Sequence, residues 1–228
     1  MIPLRDTIPA RDTAWIVRLL VLLNVGVFIA QLMHGRQVEA FVERFGVVPA
    51  HWALQFSRPW PWLCSTLITS QFLHGSVLHL GANMLYLWIF GDNVEDRLGH
   101  GRFLLLYLAS GIVAALVQLL ANPHSSVPML GASGAIAGVL GAYFLSFPFA
   151  RVTTLLPLFF FWETVEVPAF VFLGFWFVLQ WLQGMTTIGQ VAETGGVAWW
   201  AHIGGFVSGL VGVLLFRPGR GHAPWAIR

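Results

Sequence analysis

The sequence has no lysine, a single cysteine and few charged residues of either sign. Charged residues make up 10% of its 228 positions, whereas a soluble domain carries roughly a quarter, so an ordinary soluble domain is excluded. The twelve basic residues are all arginines and form no basic run, which argues against a nucleic-acid partner. Cys64 alone forms no internal disulfide and offers no cysteine-based metal site.

Hydrophobic and aromatic residues dominate instead. The chain is 57% hydrophobic with a mean hydropathy of +0.75. Its 11 tryptophans and 19 phenylalanines suit anchoring at membrane interfaces. This composition predicts an all-α, polytopic membrane protein that forms one domain over residues 1–228.

Six apolar stretches are candidate transmembrane helices. The first follows a basic start, as in a signal peptide, but its apolar core is long and no small-residue cleavage site follows, so we expect a retained helix. The second and fourth are shorter than the roughly 20 residues that a bilayer core requires, which predicts helix ends below the membrane surface. The stretches cover about residues 15–33, 77–90, 103–121, 132–147, 167–185 and 197–216.

Three connecting segments differ from these spans. Residues 34–73 mix apolar and charged side chains, which is typical of segments lying in the membrane interface. Residues 152–162 are apolar but too short to span a bilayer, and we expect an interfacial hairpin there. Residues 186–196 are small, polar and glycine-rich, which predicts a mobile loop.

The arginines predict the orientation of the chain. With six spans both termini lie on one side, and nine arginines lie on that side against three on the other. Because arginine is enriched in cytoplasmic loops, we expect cytoplasmic termini. The compact form and the absence of a transit peptide favour a bacterial inner membrane, with an organelle membrane as the alternative. The nine are Arg5, Arg11, Arg18, Arg97, Arg102, Arg151, Arg217, Arg220 and Arg228, and the three are Arg36, Arg44 and Arg58.

This topology brings polar residues of three spans to the outer third of the membrane. His79 and Asn83 belong to the second span, Ser133 to the fourth and His202 to the sixth. Polar residues inside spans are costly and are functional candidates by default. A serine hydroxyl becomes a nucleophile when a histidine takes its proton, so Ser133 and His202 are the candidate catalytic pair.

The remaining groups are suited to stabilise an oxyanion. Ser133 begins a helix, which leaves its backbone N–H free beside the positive end of the helix dipole. His79 and Asn83 are four residues apart, hence on one helical face, and both can donate hydrogen bonds. No acidic residue is placed to orient His202, since Glu163 and Glu166 lie on the cytoplasmic side and Glu193 lies in the glycine-rich loop, so a serine hydrolase here would use a Ser–His dyad.

Four short motifs surround these residues, in the order His74-x4-His79-x3-Asn83, Glu95-x-Arg97-x-Gly99, Gly131-Ala132-Ser133-Gly134 and Ala201-His202-Ile203-Gly204-Gly205. They resemble the motifs of the rhomboid family of intramembrane serine proteases. No single motif is specific, but all four occur in the family's order and on the expected side of the membrane. The likeness covers about residues 60–216.

The resemblance implies a rhomboid-like bundle of six transmembrane helices that acts as an intramembrane serine endopeptidase. Ser133 would be the nucleophile, His202 the general base and acid, and His79, Asn83 and the Ser133 backbone N–H the oxyanion hole. Substrates would be single-span membrane proteins, cleaved in or near the outer half of their helix in the lipid bilayer. No metal or organic cofactor is implied. The fifth helix and the glycine-rich loop resemble the family's gate and cap.

The sequence departs from the family at two places. Some members have an aromatic residue that packs on the histidine, four positions after the nucleophile, where this chain has Ala137. Some also carry a Trp-Arg pair in the first loop, which is missing here.

Three other interpretations remain open. A metal site could use His74, His79 and His202, although the spacing lacks the glutamate of a zinc hydrolase helix. A rhomboid-like pseudoenzyme would bind membrane helices without cutting them, but such proteins typically lose the serine or the histidine. A transporter or channel would favour inverted repeats or paired charges near the midplane, and the sequence has neither.

Overall fold

Helices make up most of the described chain, which comprises residues 1–54, 59–158, 161–187 and 196–216 of a computed structural model. The helices are α1 (Trp15–Met33), α2 (Val38–Phe45), α3 (Pro49–Ala53), α4 (Trp60–Thr69), α5 (Val77–Leu98), α6 (His100–Ala121), α7 (Ser133–Ser146), α8 (Ala169–Thr187) and α9 (Trp199–Leu215). The strands are β1 (Ile2–Asp6), β2 (Arg151–Leu158) and β3 (Phe161–Pro168).

The six longest helices correspond to the six predicted spans. Among the described residues, α1, α6 and α8 are long and apolar enough to cross a membrane, and α7 and α9 are shorter apolar helices. Most predicted ends lie within three residues of the observed ones. The prediction of a polytopic, mostly helical membrane bundle is confirmed.

The second span is the exception, because α5 continues eight residues beyond the predicted end at Phe90. Four charged residues lie in this extension, namely Asp92, Glu95, Asp96 and Arg97. However, the side chain of Glu95 is only 1% exposed, and its two carboxylate oxygens accept hydrogen bonds from the backbone N–H groups of Ile16 (2.9 Å) and Val17 (2.8 Å). These donors at the start of α1 have no partner within their own helix. The charged end of α5 therefore stays helical because it caps α1.

A three-stranded antiparallel sheet accompanies the helices, and the all-α prediction did not include it. The predicted hairpin over residues 152–162 is present as β2 and β3, and β1 from the N-terminal segment pairs with β2. The pairing between residues 2–6 and 152–155 joins parts of the chain that are far apart in sequence. Hydropathy along the sequence contains no signal for such a pairing.

The long connection before α5 forms α2, α3, α4 and a 3-10 turn at Ser70–Phe72. A β-bridge between Val47 and Met129 joins this connection to the segment before α7. The predicted mobile loop falls mainly on residues 188–195, which lie outside the described residues.

α7 lies at the centre of the bundle, and its residues from Gly134 to Tyr143 are all buried. It packs closely on α9 because small residues face each other. A β-carbon on Gly141 would overlap the backbone of Phe206, and one on Gly205 would overlap the carbonyl of Gly134. Small residues allow this close backbone approach in membranes, and the approach brings the N-terminal ends of α7 and α9 together.

Candidate active site

Ser133 and His202 form a hydrogen bond between the first turns of α7 and α9. Ser133 Oγ lies 2.8 Å from His202 Nε2, an ordinary O–H···N distance. An unprotonated nitrogen of a neutral imidazole is able to accept the hydroxyl proton at this distance. The structure therefore brings together the two residues that the sequence nominated as a catalytic pair.

The loop before Ser133 requires glycine at position 131. Gly131 has a φ of +123°, a conformation that L side chains rarely adopt, and a β-carbon there would lie 2.9 Å from the His79 ring. The backbone N–H of Gly131 donates a 2.9 Å hydrogen bond to the carbonyl of Ser70. These features press the backbone just before Ser133 against the ring of His79.

Asn83 and His79 are one turn apart on α5, and both side chains approach Gly131. A β-carbon on Gly131 would lie 3.7 Å from Asn83 Nδ2. This amide nitrogen is buried and has no hydrogen-bond acceptor among the described residues. A buried donor without a partner costs about 1–3 kcal/mol, and such costs are tolerated at functional sites. The amide is thus available to an acceptor that enters from outside the protein.

The other ring nitrogen of His202 is within hydrogen-bond distance of a side chain of α8. His202 Nδ1 lies 2.6 Å from Gln180 Oε1, and Gln180 is 7% exposed. No carboxylate of the described residues hydrogen-bonds to His202, and Glu193 lies outside them. Sequence reasoning considered only acidic partners and missed Gln180, although a glutamine within an apolar helix is a detectable signal.

Aromatic rings also enclose the imidazole. The ring centroid of Trp176 on α8 lies 5.8 Å from that of His202, with 36° between the planes. Trp199 approaches edge-on at 6.3 Å. Position 137, where some rhomboid proteins have an aromatic residue, is a buried alanine. The packing on His202 here therefore comes from α8 and α9 instead of α7.

A contact with α6 fixes the start of α9. The side-chain oxygen of Gln118 accepts a 3.2 Å hydrogen bond from the backbone N–H of Ala201. The first N–H groups of a helix lack the regular acceptor four residues earlier in the chain. The hydrogen bond to Gln118 therefore stabilises the turn that carries His202.

His74, the first residue of the His-x4-His pattern, lies just before α5 and is fully buried. Its backbone N–H donates a 3.2 Å hydrogen bond to the side-chain oxygen of Gln31 on α1. Its carbonyl accepts a 2.7 Å hydrogen bond from the side-chain nitrogen of Gln31, so this segment is linked to α1. Burial, with a smaller effect from His79, lowers the pKa of His74 to about 4. The described residues contain no group of three His, Cys, Asp or Glu side chains that could hold a metal ion.

A cavity of about 820 Å³ contains these groups. His79, Asn83, Ser133 and His202 all line it, as does Trp176. This volume lies within the range that is usual for ligand-binding pockets. The fold and the site together describe an integral membrane protein with a hydrogen-bonded Ser–His pair inside a bundle of apolar helices.

Comparison with known proteins identifies the family. The rhomboid domain matches residues 61–219, which is more than half of the chain. Rhomboid protein 1, mitochondrial, from Saccharomyces cerevisiae is 35% identical over 150 residues, which is 64% of this chain and 40% of that protein. Presenilin-associated rhomboid-like protein, mitochondrial, from Homo sapiens is 37% identical over 100 residues, 42% of this chain and 26% of that protein.

A bacterial relative, rhomboid protease GluP from Bacillus subtilis, is 47% identical over 76 residues, 33% of this chain and 14% of that protein. The matches thus cover less than half the length of each of these three relatives. The chain belongs to the rhomboid family.

Proposed function

We propose that this protein is an intramembrane serine endopeptidase that cleaves the transmembrane segments of other membrane proteins. The observation that carries the proposal is the 2.8 Å hydrogen bond between Ser133 and His202 inside a cavity that Asn83 also lines. The amide nitrogen of Asn83 has no acceptor among the described residues. Membership of the rhomboid family supports this class of reaction, as does the name of the relative from Bacillus subtilis, a rhomboid protease.

In the proposed reaction, Ser133 Oγ attacks the carbonyl carbon of the substrate while His202 Nε2 takes the hydroxyl proton. The oxyanion that forms accepts hydrogen bonds from Asn83, His79 and the backbone N–H of Ser133, which replaces the missing partner of Asn83 Nδ2. His202 then gives its proton to the leaving amine. Water then takes the place of the amine: it attacks the acyl carbon while His202 takes its proton, the ester bond to Ser133 breaks, and His202 returns the proton to Ser133 Oγ.

The short length of α7 supports a reaction within the membrane. Its 14 residues extend for about 21 Å at 1.5 Å per residue, whereas the hydrocarbon core is about 30 Å thick. Ser133, at the first position of α7, therefore lies below one membrane surface if the other end reaches the opposite surface. We propose single-span membrane proteins as substrates, cleaved in or near the outer half of their helix.

The proposed orientation has both termini in the cytoplasm and the active site opening outward. The arginine distribution supports it. The pairing of β1 with β2 agrees with it, since both strands belong to the predicted cytoplasmic side. Two of the three relatives described above are named as mitochondrial, so the comparisons give no support to the bacterial inner membrane that the sequence favoured.

The test is labelling of the detergent-solubilised protein with a fluorophosphonate, which reacts covalently with activated serines. We expect wild-type protein to be labelled, and both Ser133→Ala and His202→Ala to lose labelling, because one lacks the nucleophile and the other its base. Ser146→Ala is the matched control. It removes a serine hydroxyl from the opposite end of α7 and is expected to label like wild type.

Labelling that persists in Ser133→Ala would contradict the proposal, as would folded wild-type protein that is not labelled. Either result would favour a protein that binds membrane helices without cutting them.

A further inference from the structure

A neutral histidine carries its proton on only one ring nitrogen, and the tautomer decides whether it can act as a base towards a given group. For His202 Nε2 to accept the proton of Ser133, the ring proton must lie on Nδ1. A tautomer with the proton on Nε2 would instead donate towards Ser133 and could not remove its proton. A serine hydrolase with His202 as base therefore needs an acceptor at Nδ1.

Gln180 supplies that acceptor. Its Oε1 lies 2.6 Å from His202 Nδ1, and an amide oxygen accepts hydrogen bonds but does not donate them. The other groups that face the imidazole are His79 of α5 across the cavity, Ser133 of α7, Trp176 of α8 and Trp199 of α9. In the part of the chain that the structure describes, none of these is a carboxylate.

We propose that Gln180 is a positioning residue, which holds His202 in the tautomer with the proton on Nδ1 and aims Nε2 at Ser133. This inference rests on the proposed function. A neutral partner orients the ring but adds no negative charge to stabilise the imidazolium, unlike the aspartate of a Ser-His-Asp triad. It also avoids the desolvation cost of a carboxylate in an apolar helix.

Gln180 lies on α8, a different helix from the two that carry Ser133 and His202. α7 and α9, which carry Ser133 and His202, are held together by close backbone contact at their glycines. The acceptor at Nδ1 comes from α8. The orientation of the base thus depends on the placement of a helix other than the two that carry the reacting residues.

The first experiment measures the rate of fluorophosphonate labelling between pH 5 and 9 for wild type, Gln180→Leu, Gln180→Glu and Gln183→Leu. We expect Gln180→Leu to react about tenfold more slowly, which corresponds to loss of one hydrogen bond. Gln180→Glu keeps the acceptor and should restore labelling. The acidic limb of its pH–rate profile should lie about one unit or more higher, because a carboxylate stabilises the protonated imidazole.

Gln183→Leu is the matched control, since Gln183 lies three residues further along α8 and is exposed. It should label like wild type at every pH. Wild-type rates and an unchanged profile in Gln180→Leu, or an unshifted acidic limb in Gln180→Glu, would overturn the proposal. Failure of the proposed function would show differently, as absence of Ser133-dependent labelling in wild type itself.

A second experiment reads the tautomer without any reaction. In protein labelled with ¹⁵N-histidine, the signals of His202 are those that disappear in His202→Ala. We expect a protonated, pyrrole-type Nδ1 and an unprotonated, pyridine-type Nε2 in wild type, and a mixture of tautomers in Gln180→Leu. A proton on Nε2 of the neutral His202 ring in wild-type protein would overturn the proposal, even if every variant lost activity.

Discussion

Gly138 on α7 and Gly209 on α9 lie so close together that a β-carbon added to Gly209 would overlap the carbonyl group of Gly138. The clash would involve backbone atoms, which no side-chain rotation can move away. Both helices carry a member of the Ser–His pair at their first turn. The separation of the two backbones therefore also sets the distance between Ser133 and His202.

Gly209→Ala should accordingly lower both stability and labelling by the fluorophosphonate. Forcing an extra methyl group into a packed interface costs about 1–3 kcal/mol, and any separation of the helices lengthens the Ser133–His202 hydrogen bond. Thermal unfolding in detergent and the labelling rate measure the two effects. Gly81→Ala is the control, because a β-carbon at Gly81 would meet nothing within 4 Å. Equal behaviour of the two variants would refute the packing argument.

Gly131→Ala should impair labelling more than its effect on stability explains. Its β-carbon would press on the His79 ring, in addition to the strain of a positive φ. Gly99→Ala separates these effects, because Gly99 also has a positive φ, of +79°, but open space around it. Both variants should lose stability in an unfolding assay, whereas only Gly131→Ala should lose labelling. A comparable loss of labelling in Gly99→Ala would mean that strain alone is responsible.

Asn83→Ala should reduce substrate hydrolysis about 10²–10³-fold, the usual effect of removing one oxyanion donor. Its stability should be unchanged or higher, because the deleted amide nitrogen has no acceptor among the described residues. Asn93→Ala, further along α5, should behave in the opposite way. The Nδ2 of Asn93 donates a 2.7 Å hydrogen bond to Asp6, so this variant should unfold more easily and keep its activity. Parallel activity and unfolding assays test the contrast, which fails if Asn83→Ala is the less stable variant.

Asp6 should make the protein less stable as the pH rises. Burial raises the pKa of Asp6 from 3.8 to about 6, although a hydrogen bond from Tyr143 opposes the shift. The folded state then binds the proton more tightly than the unfolded state, so stability is highest at low pH and falls between about pH 4 and pH 6. The change is at most about 3 kcal/mol, at about 1.4 kcal/mol per pKa unit.

Unfolding measurements in detergent at pH 4 to 7 test this expectation. Asp6→Asn should lose this part of the pH dependence, whereas Asp12→Asn, in the exposed segment between β1 and α1, should retain it. If Asp6→Asn has the same pH dependence as wild type, burial of Asp6 is not its cause.

The bundle and its Ser–His pair were predictable because their signals are local. Long apolar stretches indicate membrane helices whatever their neighbours, since the lipid imposes the same demand on each of them. Once six spans alternate in direction, Ser133 and His202 must lie at similar depth. Their 2.8 Å contact agrees with that expectation, although depth alone could not establish it.

Other features depend on residues that are distant in sequence. The predicted end of α5 lay eight residues too early, and the Glu95 carboxylate in the missed segment caps α1. The sheet requires β1 to meet β2, and neither strand has a signal for the other. Gln180 was not predicted as a partner of His202, because their hydrogen bond forms only when α8 packs beside α9.

The amino-acid sequence was thus sufficient for the class of protein, the family and the candidate reacting residues, because hydropathy and short motifs report on each segment separately. The tertiary structure alone decided what surrounds those residues: the acceptor at His202 Nδ1, the ring of Trp176 and the amide nitrogen of Asn83, which has no acceptor in the described part of the chain. These depend on how helices pack against one another, and packing is determined by the shapes of all the side chains at an interface together.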